Sequence, residues 1–238
     1  MNASRYERQL LLEGWGESTQ NKLSQKTVFV AGAGGLGAPV IHYLAAAGIG
    51  KLRICDSDRV EISNLNRQVL YTENELDEPK ARAALKRVSK LNAEIDVEAL
   101  EERVDASNVN ELIAGSDIVV DCLDNYASRL VLNQFAVNTG TPLVHAGVQA
   151  MYGQLTFIHT PITPCLRCLL PDKITELSPK PIVGAAAGVM GGLQAMEAIK
   201  YLTGMGTNLA NEMLLWDGAD MNWQVVPIHR DTDCPVCS

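Results

Sequence analysis

Gly32, Gly34 and Gly37 stand in the pattern G-x-G-x-x-G within VFVAGAGGLGAPV, and Asp56 follows in KLRICDSD. The pattern places a tight turn after an apolar run and before a helix-like run. There glycine lets the backbone approach a phosphate closely, and the helix N-terminus offers unpaired N–H groups. An acid at about this interval accepts ribose hydroxyls. These residues serve NAD as well as ATP, and a glycine turn used only for strand–helix packing meets the same pattern.

The next stretch, DSDRVEISNLNRQVLYTENELDEPKA, separates the two nucleotides. It supplies Asn64, Arg67 and Gln68 from a polar loop, and Lys80 directly after a proline at an expected helix start. Arg67 and Lys80 are the cations a triphosphate needs while charge develops on it, whereas hydride transfer makes no such demand. Ordinary solvated surface charge is the other reading of either residue. Asp124, in DCLDN, lies past the end of the run DIVVDC. An acid at that sheet edge suits a hydrated magnesium ion that takes one carboxylate plus phosphate oxygens. Asp121, within the strand end, reads as structural.

Four of the six cysteines form two C-x-x-C pairs, Cys165 with Cys168 and Cys234 with Cys237. They fit a closed, structural zinc site of four thiolates; paired disulfides or a redox pair are the alternatives. Cys55 and Cys122 end apolar runs and read as core thiols. His42, His145, His159 and His229 show no triad or metal spacing and read as structural.

Positioning these groups falls to an α/β fold. The apolar runs TVFVA, KLRIC, IDVEAL, DIVVDC and TPLVHA alternate with helix-like segments, which predicts a Rossmann-like, doubly wound and mostly parallel sheet. GQLTFIHT, EMLLWDG and NWQVVPIH predict C-terminal antiparallel strands that extend it. We read residues 1–238 as one domain, with an N-terminal helical arm at 1–25, a nucleotide-binding core at 26–147 and a further part at 148–238. Arg5 and Arg8 fall at i and i+3 of an expected amphipathic helix in the arm. Pro171, Pro179 and Pro181 predict an irregular loop from Leu170 to Val183.

With 47% hydrophobic and 20% charged residues and a net charge of -8, the composition is that of a soluble globular protein. The acidity argues against non-specific nucleic-acid or anionic-membrane binding. No export signal or membrane-span-length apolar run is visible, so a cytoplasmic location is expected.

In order along the chain, RYERQLLL, GAGGLG, D-x-D-x-V-x-x-x-N-L-N-R-Q, PKA, DCLDN, C-x-x-C, GLQAMEAIK and a terminal C-x-x-C resemble the MoeB/ThiF/HesA family. Its members are bacterial relatives of ubiquitin-activating enzymes that adenylate the C-terminal Gly-Gly of small ubiquitin-like sulfur-carrier proteins. The resemblance implies that Gly35 lies against the nucleotide and Asp56 holds the ribose. Asn64, Arg67 and Lys80 would surround the phosphates, and Asp124 would hold magnesium. Asp58, Gln68 and Asn125 complete the set of candidate nucleotide-binding residues. A homodimer is implied in which Arg8 reaches into the partner's site. Residues 148–238 are expected to hold the carrier and zinc, with the proline-bearing loop 170–183 as a flap over the carrier tail. In several relatives the loop before GLQAMEAIK bears a cysteine that bonds covalently to the carrier. Leu169 to Gln194 contains none, so the resemblance does not extend to covalent transfer.

The function expected is therefore ATP-dependent adenylation of a carrier for thiamin, molybdopterin or related biosynthesis, with ATP, Mg2+ and Zn2+ as cofactors and a separate sulfurtransferase downstream. An NAD-dependent oxidoreductase and a catalytically silent, carrier-binding scaffold are the alternatives. Arg67, Lys80 and both cysteine pairs discriminate against the first, and retention of Arg67, Lys80 and Asp124 against the second.

Overall fold

A computed structural model describes residues 3–171 and 181–238. Eight strands form one sheet: β1 (Thr27–Ala31), β2 (Lys51–Cys55), β3 (Asp96–Leu100), β4 (Ile118–Asp121), β5 (Leu143–Gln149), β6 (Tyr152–Ile158), β7 (Glu212–Asp217) and β8 (Asn222–Pro227). Their order is β3-β2-β1-β4-β5-β6-β7-β8. The first five pair in parallel, and β6, β7 and β8 continue antiparallel, as the sequence predicts.

Both faces of the parallel part are covered, which explains its near-continuous apolar runs. Val28 and Val30 of β1 join one core cluster, whereas the alternate residues Phe29 and Ala31 join another on the opposite face. Helices α3 (Gly37–Ala47), α4 (Lys80–Leu91) and α7 (Gly184–Thr203) contribute to the first cluster. Helices α5 (Val109–Ile113) and α6 (Tyr126–Thr139) contribute to the second. Fully burying a Val or Phe side chain contributes about 1.5–3 kcal/mol, so these clusters fix where the strand ends sit. The crossing of α3 and α7 is close: a Cβ on Gly191 would stand 2.4 Å from the Leu36 carbonyl oxygen.

The N-terminal arm differs from the single amphipathic helix expected. A 3-10 turn, Ala3–Tyr6, carries Arg5, a one-turn α1 (Glu7–Leu10) carries Arg8, and α2 (Gly16–Leu23) follows. Gly14, between the two helices, and Gly16, which opens α2, take positive φ and break the run. Tyr6 pins the arm: its buried hydroxyl accepts from Asn92 Nδ2 at 2.8 Å. Arg5 is tied to α4, donating to the Leu91 carbonyl at 2.9 Å. The expected flap at 170–183 falls mainly on residues 172–180 and lies outside the described residues. Among the described residues, no helix is long and apolar enough to cross a membrane.

Candidate functional site

The strand order reverses between β1 and β4, and the carboxyl ends of β1, β2 and β4 open there into a cleft of about 1170 Å³. Open α/β sheets take their ligands at such a switch point. Gly32, leaving β1, has φ +94°, and a Cβ there would lie 2.8 Å from the Cys122 carbonyl oxygen, so a side chain is both strained and blocked. A Cβ on Gly37 would meet the Gly32 carbonyl oxygen at 2.0 Å. Gly34 and Gly35 line the cleft between them, backed by Gln68 and Arg67.

Asp56 leaves β2 and accepts from the Ala33 N–H at 2.7 Å and the Asp58 N–H at 2.8 Å. Burial pushes its pKa above the ordinary 3.8, against the pull of the Lys80 ammonium and these two donors. The Tyr71 hydroxyl, whose pKa burial raises, donates to the Ala33 carbonyl at 2.8 Å and fixes the glycine turn from below. Lys80 opens α4, and its Nζ pairs with Asp58 Oδ2 at 3.0 Å. The lysine side chain is 7% exposed and the aspartate 69%. A buried ammonium must stay paired, and an exposed partner is one that an incoming anion can replace.

Arg67 is half-buried at the cleft wall, donating from Nη1 to the Ser63 carbonyl at 2.9 Å and Asn66 Oδ1 at 3.0 Å. Buried Gln68 also lines the cleft, and its Oε1 has no hydrogen-bond partner among the described residues. Asn64 is buried and is not part of the cleft wall. Its Oδ1 accepts from the Glu61 N–H at 3.2 Å and closes the 3-10 turn Ile62–Asn64. Asn125 lines the cleft while its side chain caps α6, accepting from the Ser128 N–H at 2.9 Å. Exposed Asp124 stands beside it on the wall. Arg8 is exposed and does not line the cleft of its own chain.

Cys55 and Cys122 are buried, and burial drives both thiols up, Cys55 to about 12. Thiols held protonated in this way are poor nucleophiles. Away from the cleft, Cys165, Cys168, Cys234 and Cys237 bring their Sγ atoms within 4.8 Å of one another. Individual separations are 3.9 Å for Cys165–Cys168, 3.7 Å for Cys165–Cys234 and 3.5 Å for Cys168–Cys237. Four thiolates about 2.3 Å from a tetrahedral zinc stand about 3.8 Å apart, so the cluster fits that ion. The separations are far beyond a disulfide bond of about 2.05 Å.

The ThiF family model matches residues 6–236. The chain belongs to the ThiF family. This ThiF-family chain is 42% identical to the SAMP-activating enzyme E1 of Haloferax volcanii over 98% of its length and 88% of the relative's. It is 40% identical to the sulfur carrier protein ThiS adenylyltransferase of Escherichia coli K12, over 98% of this chain and 94% of that one. Among solved structures, E. coli MccB with ATP superposes with a TM-score of 0.87 at 25% identity, covering 100% of this chain and 75% of that one.

Two buried features of this ThiF-family chain, neither part of the cleft wall, were not legible in the sequence. Tyr71 gave no signal beyond an aromatic residue in a polar loop. Asp121 and His145, 24 residues apart, meet at 2.7 Å with both side chains fully buried. Burial lowers the His145 pKa in spite of that hydrogen bond, so the ring is neutral at pH 7 and its Nδ1–H donates to the carboxylate.

Asp56 carries a pH prediction. If its carboxylate accepts the ribose hydroxyls, protonation removes an acceptor, and its raised pKa moves that loss to a higher pH than for an ordinary aspartate. Adenosine has no phosphate to titrate, and its affinity should fall on acidification at a higher pH than an ordinary aspartate would give, with Asp56→Asn flattening the acid limb. Equal acid limbs in the two proteins, followed by calorimetry, would count against this role.

Proposed function

We propose that this chain is an ATP-dependent adenylyltransferase that activates the C-terminal Gly-Gly carboxylate of a small ubiquitin-like sulfur-carrier protein. The single observation that carries this reading is the buried Lys80 at a glycine-cradled switch point, joined there by Arg67 and Asp124. Hydride transfer leaves these groups without a task. The names of the relatives support the same substrate class.

In the reaction a carrier carboxylate oxygen attacks the α-phosphorus of ATP, and the bond to the pyrophosphate oxygen breaks. The carboxylate is already ionised at neutral pH, so no general base is required. This accounts for a cleft whose thiols are held protonated and whose wall, among the described residues, carries no histidine. What remains is positioning two anions and offsetting their charge. Asp56 accepts the ribose hydroxyls, the glycine turn admits the phosphates, and Lys80 exchanges Asp58 for a phosphate oxygen, with Arg67 as the second cation of the cleft. Asp124 is the residue that would hold magnesium, whose chemistry when bound is to neutralise phosphate charge. The four thiolates would hold zinc as a clip on the C-terminal segment.

The working unit is a homodimer, with Arg8 of each chain completing its partner's site. Mixing Arg8→Ala with Arg67→Ala chains should then restore part of the activity through one hybrid site free of both lesions. Mixtures with proven subunit exchange and no recovery would exclude the shared site. Incubating the chain with ATP, magnesium and a carrier ending in Gly-Gly should yield a carrier-adenylate by mass spectrometry. A cysteine-linked carrier in its place would overturn the mechanism.

A further inference from the structure

One buried cation of the cleft has no part in the mechanism above. Arg129, on α6, is 6% exposed and lines the cleft, yet its fork faces the protein backbone. Nε donates to the Leu123 carbonyl at 3.0 Å, and Nη2 donates to that same oxygen and to the Ala146 carbonyl at 3.0 Å. Nε also lies 3.6 Å from Asp121 Oδ2, and the guanidinium sits over the Tyr126 ring, 5.4 Å from its centroid. Asp121 completes the device from the other side: its Oδ1 accepts from the Leu123 N–H at 3.1 Å and its Oδ2 from His145 Nδ1 at 2.7 Å. Both polar atoms of the Leu123 backbone are thus gripped, the carbonyl by Arg129 and the amide by Asp121. The next residue in the chain is Asp124.

We propose that Arg129, braced by Asp121, is the positioning residue for Asp124, holding the loop between β4 and α6 so that this carboxylate meets the phosphate-bound magnesium. The inference rests on the reading of Asp124 above. Its carboxylate partner sets Arg129 apart from Lys80: Asp121 is fully buried and stays with the arginine, whereas Asp58 is exposed and can give way to an anion. A fork spanning two carbonyls on different elements fixes a loop as a lysine cannot.

The test is calorimetric titration of the full-length chain with ATP, in magnesium and in EDTA. The wild type should bind ATP more tightly with magnesium, and Asp124→Asn should lose that gain. Should Asp124→Asn keep it, the reading of Asp124 fails, and this inference with it. Given that loss, Arg129→Lys and Arg129→Ala should each reduce the magnesium gain by on the order of tenfold, since small misplacements of a site group carry effects of that size or more. ATP affinity in EDTA should change less than about twofold, and Arg129→Lys combined with Asp124→Asn should be no worse than Asp124→Asn alone. If Arg129→Ala does not fold, the lysine variant, which keeps the charge opposite Asp121, carries the test. An undiminished magnesium gain in a folded Arg129 variant would overturn the proposal. So would additive losses in the double variant, or an equal loss in EDTA, which would mark a direct phosphate contact.

Discussion

Lys80→Ala is expected to slow carrier-dependent ATP–pyrophosphate exchange by on the order of a hundredfold or more, the usual loss when one preorganised charge-stabilising group is removed. The effect should be large because Lys80 is buried, with its ammonium in a site where water screens little. It should also have a second component. Asp58 is held 3.0 Å from Nζ, and without the lysine it stands as an unneutralised anion beside the incoming phosphates. Lys80→Ala combined with Asp58→Asn should therefore recover part of the loss. Exchange rates of the single and double variants decide the matter, and near-normal exchange in Lys80→Ala would remove this residue from the chemistry.

Cys168→Ala is expected to take the protein from a full equivalent of bound zinc to almost none and to release the C-terminal segment. Beyond β8 the chain forms no further helix or strand, yet Cys234 and Cys237 are buried. Little besides the thiolate cluster and the small apolar contacts of Val137 and Val236 covers that end. Metal binding by four thiolates contributes roughly 10–16 kcal/mol in small zinc modules, so the loss of one ligand outweighs those contacts. Trypsin should then cut after the exposed Arg230 far faster than in the wild type, while adenosine affinity stays unchanged. Metal analysis under reducing, chelator-free conditions provides the companion measurement. Wild-type protein with less than about half an equivalent of zinc would contradict the assignment.

Much of this was written in local sequence pattern. Alternating apolar runs announced the strands because each face of the sheet takes every second residue, as Val28 and Val30 against Phe29 and Ala31 illustrate. Gly32 and Gly37 could be read because a turn without room for Cβ leaves a fixed spacing. Asn64 and Asn125 show where motif reading says too little. Both sit in nucleotide-associated motifs, yet their side chains cap a 3-10 turn and α6, and capping leaves the same residue preference as ligand binding. The grip of Arg129 and Asp121 on Leu123 was hidden because its partners come from a strand end, a loop and a helix, with no shared period. Arg8 was singled out only through its motif, since nothing local distinguishes an exposed arginine on a one-turn helix.

The most direct measurement of the central claim is exchange of radiolabelled pyrophosphate into ATP with a panel of candidate carriers, each supplied with and without its terminal Gly-Gly. The expected result is magnesium-dependent exchange with at least one intact carrier, lost when its tail is removed and nearly unchanged when Cys55 or Cys122 is replaced by Ala. Exchange that ignores the tail, or a carrier thioester that disappears with Cys122, would contradict it.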